Sequence, residues 1–196
     1  MIKNLSTFFV GIALLCLAGC TPIPKETTAT KEYAPLEVPV PERPAGQQDV
    51  IELITPKLDT VRVGFIGLGM RGPSAVERWT HIPGTKIVAL CDLLPENAEK
   101  AQKIVTNAGM EAPALYSGSE DAWKQLCERN DIDLVYIATD WKHHAEMGIY
   151  AMEHGKHAAI EVPAAMSLDE IWALINTKRP VNTVCNLKTV FMTSSN

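Results

Sequence analysis

From Val61 onward the chain alternates short apolar runs with longer stretches whose apolar positions recur at helical spacing. Short, mostly apolar runs of three to six residues fit buried strands, while an apolar residue every three or four positions fits a helix packed on one face. On that basis residues 61–66, 86–91, 114–116, 134–138 and 157–160 are predicted strands. The intervening segments are predicted helices: one carrying Val76 and Trp79, one over 96–108 closed by Gly109, one capped by Ser119 and running through Arg129, and one over 142–154 closed by Gly155. A last helix is opened by the capping box Ser167-x-x-Glu170. Strands joined by helical crossovers predict an α/β domain, a parallel sheet with helices on both faces, whose ligand lies at the strands' C-terminal ends.

Three of those ends carry chemistry. The first strand runs into Gly67-Leu68-Gly69-Met70-Arg71-Gly72, a G-x-G-x-x-G turn, and Asp92 follows the second strand. Alone the glycine motif is weak; after a strand, before a helix and with an acid about 20 residues on, it is the dinucleotide fingerprint of a Rossmann-type sheet. Gly67 permits the tight turn, Gly69 lets the backbone approach a pyrophosphate, and Gly72 allows close helix packing. Amides at the helix start would face the phosphates. Asp92 would accept hydrogen bonds from the adenosine ribose and repel a 2′-phosphate, which favours NAD over NADP. The competing view is a glycine-rich turn in an unrelated domain, with Asp92 capping the helix opened by Pro95. The other two ends are Thr139-Asp140-Trp141-Lys142-His143-His144 and Glu161-Val162-Pro163, expected to converge on the cofactor. Trp141 and His144, three apart at a helix start, share a face and can both point at the nucleotide. The alternative is a Trp141 packed on a loop and a His144 satisfied in the first turn. The other histidines, His143 among them, carry only a structural expectation.

The N-terminal part is different in kind. Lys3 precedes an apolar run over 8–17 too short to span a bilayer as a helix, and Leu17-Ala18-Gly19-Cys20 has the form of a lipoprotein signal that ends in a lipidated cysteine. Residues 1–19 are thus expected to be a signal peptide, with Cys20 the lipid-bearing N-terminus facing the periplasm or cell surface. Seven of the thirteen prolines fall between Thr21 and Leu58, so 20–58 is expected to be a semi-rigid linker and 59–177 the nucleotide-binding domain. A net charge of −5 without a basic run gives no reason to expect nucleic acid. Cys91, Cys127 and Cys185 are far apart without C-x-x-C spacing, so neither a metal site nor a disulfide framework is expected, and Cys91 and Cys127 read as small buried hydrophobes.

Together the segments Gly64 to Gly72, Cys91-Asp92, Thr139-Asp140-Trp141-x-x-His144, Gly155-Lys156-His157 and Glu161-Val162-Pro163 resemble the Gfo/Idh/MocA oxidoreductase-like proteins over residues 61–177. The likeness is greatest to glycoside hydrolase family 109, the NAD-dependent α-N-acetylgalactosaminidases. The sugar dehydrogenases of the superfamily have Glu-Lys-Pro where this chain has Val162 in the middle, and that departure favours the glycosidase branch. The resemblance implies NAD contacts from Met70, Arg71, Asp92, Trp141, His144, Glu161 and Val162, none of them a general base, and leaves the catalytic residues of this chain unassigned. It implies a glycoside substrate cleaved through transient oxidation at the sugar C3, elimination and water addition, with NAD retained and no net redox change. Retention suits an exported lipoprotein, which would meet no cytoplasmic NAD pool. After Thr177 the family pattern vanishes, and a one-base shift of plausible codons regenerates Lys188 to Ser195. Residues 178–196 are therefore expected to be a frameshifted tail, and the family's C-terminal α+β substrate domain to be missing, leaving the fragment inactive alone. The alternative is a natural divergent tail in which Val181, Val184 and Leu187 keep helical spacing. A sugar dehydrogenase, a non-catalytic nucleotide-binding domain and homo-oligomerisation remain open.

Overall fold

The computed structural model describes residues 57–177 and, before them, 34–35, 37–42 and 45. The chain divides into two compact units, 1–40 and 41–196. In the first, the described residues are irregular and exposed. The signal segment with Cys20, and the tail from 178 with Cys185, lie outside the described residues.

The second unit is a five-stranded parallel sheet of order β3-β2-β1-β4-β5. Its strands are β1 (Val61–Ile66), β2 (Thr85–Cys91), β3 (Ala114–Tyr116), β4 (Leu134–Ile137) and β5 (His157–Ile160). They alternate with α1 (Gly72–Thr80), α2 (Pro95–Asn107), α3 (Ala122–Cys127), α4 (Trp141–Glu153) and α5 (Leu168–Asn176). The chain leaves β1 toward β2 on one side and later returns to β4 on the other, so the order reverses between β1 and β4, the crevice where such sheets take ligands.

The two-residue period of the strands feeds two cores. Val63, Phe65, Ile87 and Leu90 pack with Val76 and Val105 from α1 and α2. Ile66, Val135 and Ile137 pack on the opposite face with Leu126 of α3 and Met147 of α4. Gly64 faces this second core: a Cβ there would lie 2.8 Å from the Leu126 side chain, so its absence lets α3 settle against β1. Cys91 and Cys127 are both buried thiols, as expected, and burial pushes each up to about 12. Gly109 and Gly155 close α2 and α4 at positive φ, and the Ser167–Glu170 capping box opens α5. Among the described residues no helix is long and apolar enough to cross a membrane.

One element departs from the sequence expectation. The helix anticipated from Ser119 through Arg129 is confined to Ala122–Cys127. Ser119 Oγ accepts from the Asp121 amide at 3.2 Å and makes a local turn instead of capping a helix. At the other end Arg129 is drawn out of helical register by a two-pronged pair with Asp131, at 2.7 and 2.5 Å, and by a bond to the Tyr116 hydroxyl.

Candidate functional site

The C-terminal edge of the sheet borders a cleft of about 1370 Å³, larger than the roughly 300–1,000 Å³ of ordinary small-molecule pockets. The glycine turn forms one wall. Gly67 has φ 89°, and a Cβ on it would lie 2.6 Å from the Ala138 carbonyl, so the turn lies directly against the main chain leaving β4. A Cβ on Gly72 would lie 2.2 Å from the Gly67 oxygen; the close approach that requires this glycine is to the turn itself. Gly69 faces open space, with nothing within 4 Å of a built Cβ. A group as large as a diphosphate can therefore reach the backbone there, while a side chain would occupy its place. Helix α1 begins at this point with no side-chain cap and no acidic residue in its first turn, leaving amide donors and the positive end of the helix dipole to an anion. Met70, 93% exposed, and the exposed Arg71 line the same wall.

Asp92 stands across from the turn. Its Oδ2 accepts from the Leu68 amide at 2.6 Å, and its Oδ1 accepts from the Leu94 amide at 2.9 Å and Asn97 Nδ2 at 3.1 Å. The acid thus braces the glycine turn and the start of α2 at once, although Leu94, not Asp92, is the capping residue of that helix. Asn97, which sequence reasoning missed, lines the cleft beside it. An Asx-type residue three positions after the pair Leu93-Leu94 was the available signal, and it is a faint one.

On the far side the strand ends after β4 and β5 do converge. Trp141 and His144 line the same cleft but with opposite exposure, 58% and 1%. Trp141 lies open at the start of α4. The His144 ring is buried, with Nδ1 2.8 Å from the Pro163 carbonyl and Nε2 3.1 Å from the Thr139 carbonyl. The two nitrogens face main-chain carbonyl oxygens of both loops, and a neutral imidazole, with its single N–H, donates to one of them, so the residue sits wedged between the two loops. His143, given only a structural expectation, also lines it, with Nδ1 2.5 Å from Asp140 Oδ1; this contact holds the Asp140 carboxyl below the ordinary aspartate range. The exposed Val162 and the half-buried Glu161 complete this end, and the Tyr136 hydroxyl donates to Glu161 Oε1. Among the described residues no cluster of metal-ligating side chains occurs.

An open glycine cradle, a bare helix start, an acid on the adjacent strand end and a large cleft between them describe a Rossmann nucleotide-binding domain, and the comparisons agree. Residues 61–188 match the family described as "Oxidoreductase family, NAD-binding Rossmann fold". The chain belongs to this Gfo/Idh/MocA family, and its cofactor is NAD.

Among curated proteins it is similar to glycosyl hydrolase family 109 protein 1 of Phocaeicola vulgatus, 95% identical over 185 residues that cover 94% of this chain and 39% of the relative. It is also similar to the protein of that name in Bacteroides fragilis, 66% identical over 186 residues, 94% of this chain and 38% of the relative. The chain thus spans about two fifths of the length of these relatives. Among solved structures it is similar to myo-inositol dehydrogenase of Lactobacillus casei in complex with NAD(H) and myo-inositol, at 26% identity and TM-score 0.52, over 60% of this chain and 33% of that one.

Proposed function

We propose that this chain is the NAD-binding portion of a lipid-anchored glycosidase of the α-N-acetylgalactosaminidase type. The observation that carries the reading is the convergence of the open glycine turn, Asp92 and the β4 and β5 ends on one cleft. In this reading Asp92 receives the adenosine ribose, the backbone at Gly67, Gly69, Met70, Arg71 and Gly72 receives the diphosphate, and Trp141, His144, Glu161 and Val162 bound the nicotinamide end. When bound, NAD supplies a hydride acceptor that gives back what it takes, permitting oxidation at a sugar C3, elimination and hydration without net redox change.

The chain's own residues bind and orient. Asp92 carries charge where a 2′-phosphate would sit, which disfavours NADP. Trp141 sets an apolar surface beside the nicotinamide end and excludes water there. Val162 carries no exchangeable proton, unlike the Lys of the dehydrogenase motif. None of these residues is placed as a general base, so the chain alone should hold NAD and turn over little glycoside. A sugar dehydrogenase is the second reading, favoured by the likeness to myo-inositol dehydrogenase; it predicts net NADH production, which the glycosidase reading excludes.

Titration calorimetry of the purified chain with NAD tests the assignment. Wild type should bind NAD more tightly than NADP, and Asp92→Ala should weaken NAD by about tenfold or more. A wild-type chain with no affinity for NAD would sink the assignment. Cys20→Ser should release the protein from the membrane fraction, and retention there would remove the anchor from the proposal.

A further inference from the structure

The polar pair Tyr136–Glu161 lies inside the cleft but is not made by any strand end alone. Alternation along β4 sends Val135 and Ile137 to the core shared with α3 and α4, so Tyr136 faces the α1 side. There its ring packs on Phe65, with centroids 5.2 Å apart, and on Trp79 at 6.2 Å. The sheet register pairs Tyr136 with Ala159 of β5. Glu161 lies two residues beyond Ala159, and its amide still donates to the Ile137 carbonyl at 2.9 Å, so it keeps the strand's course and falls on the face of Tyr136. The small Ala159 side chain leaves the phenol free to reach forward, where it donates to Glu161 Oε1. Among the described residues Oε2 has no hydrogen-bond partner. Burial and the neighbouring carboxylate hold the Tyr136 phenol above its usual pKa, with the Arg78 guanidinium acting in the opposite direction, so it remains a donor at neutral pH.

We propose that Tyr136 is a positioning residue for the nicotinamide half of the cofactor: the phenol fixes one oxygen of Glu161 and turns the other toward a hydrogen-bond donor on that half of the dinucleotide. The inference rests on the cofactor reading above. Asp92, on the other side of β1, is the acid of the adenosine half, so the two halves are held by separate carboxylates. Each is braced by a different partner: Asp92 by the Leu68 amide, Glu161 by the Tyr136 phenol. Loss of the phenol should therefore be felt by NAD and not by ADP, which lacks the nicotinamide half.

The full chain, with Tyr136→Phe, Glu161→Gln and the double variant, is titrated with NAD and with ADP. Tyr136→Phe keeps the ring against Phe65 and Trp79 and removes only the hydroxyl. It should weaken NAD about tenfold, leave ADP within about twofold, and leave the melting temperature nearly unchanged. Glu161→Gln should do the same, and the double variant should be little worse than either single one, because the two groups act as a unit. Should Tyr136→Phe fail to fold, Glu161→Gln carries the same NAD-against-ADP contrast. NAD affinity unchanged in either variant, equal losses for NAD and ADP, or additive losses in the double variant would each overturn the inference while the cofactor reading stood. A wild-type chain that binds ADP but not NAD, or neither, would overturn the cofactor reading and the inference with it.

Discussion

The two edges of one sheet use their polar residues in opposite ways. At the N-terminal edge charges are spent on each other. Arg62 holds Asp133 through Nε at 2.8 Å and Nη2 at 2.6 Å, and Arg129 holds Asp131 in the same fork. Lys156, buried close by, has its pKa lowered by desolvation. At the C-terminal edge the polar groups keep capacity in reserve. Gly69 faces space, α1 starts uncapped, and Glu161 has one oxygen without a partner among the described residues. The strands end alike at both edges; what differs is whether the groups beyond them complete one another or wait for something else. Pairing at one edge serves stability, and incompleteness at the other serves binding.

Substitutions at the two edges should separate these roles. The largest effect is expected from Gly72→Val: its Cβ would be driven against the Gly67 oxygen, and displacing the turn should cost NAD affinity about a hundredfold, roughly 3 kcal/mol, by calorimetry. A variant with near wild-type affinity would remove the distinction between the edges.

Asp133→Asn comes next. The carboxylate is mostly buried and the guanidinium partly exposed, so after allowance for solvent screening the loss in urea unfolding should be about 1–2 kcal/mol, with NAD affinity within about twofold of wild type. The same residue sets an acid dependence. The Arg62 hydrogen bond, then coulombic attraction against a desolvation cost, holds the Asp133 carboxyl below its ordinary value. A group depressed in the fold contributes stability above its unfolded pKa and loses it as pH falls through the folded one. Wild-type stability should therefore decline below the ordinary aspartate value of about 4, and Asp133→Asn should flatten part of that decline. Equal pH profiles would assign the acid sensitivity elsewhere, for instance to Asp131 or Asp140, whose carboxyls are likewise depressed.

The smallest effect is expected from Trp141→Ala. The exposed ring contributes little to folding, so the melting temperature should hold while NAD affinity falls about two- to fivefold. A stability loss without a binding loss would make Trp141 a packing residue and shift the boundary between the two roles.

The sequence made the architecture legible because each strand is a short apolar run and each crossover a helical period closed by a glycine or opened by a cap. Ser119 misled because one hydroxyl serves equally as a helix cap or a local turn, and the choice was made by Arg129 and Asp131, which lie beyond the helix. The strand-end residues Asp92, Trp141 and Glu161 were legible since topology alone delivers them to one cleft. Tyr136 and Asn97 were not. Tyr136 sits in the middle of a strand and reads as core until the register sets it beside an alanine, and Asn97 matters only through a bond to an acid five residues away. His144 was placed at the cleft correctly by its spacing, yet the spacing could not show that its ring would be enclosed between carbonyl oxygens of two different loops.

That imidazole also fixes how the cleft can breathe. Withdrawing whichever of the Pro163 and Thr139 carbonyls accepts the ring's N–H, without the other, would leave the donor of an enclosed side chain facing nothing, a penalty of about 1–3 kcal/mol. The ring wedged between them makes the loops that follow β4 and β5 a single jamb, facing a glycine turn that is itself pinned by Asp92.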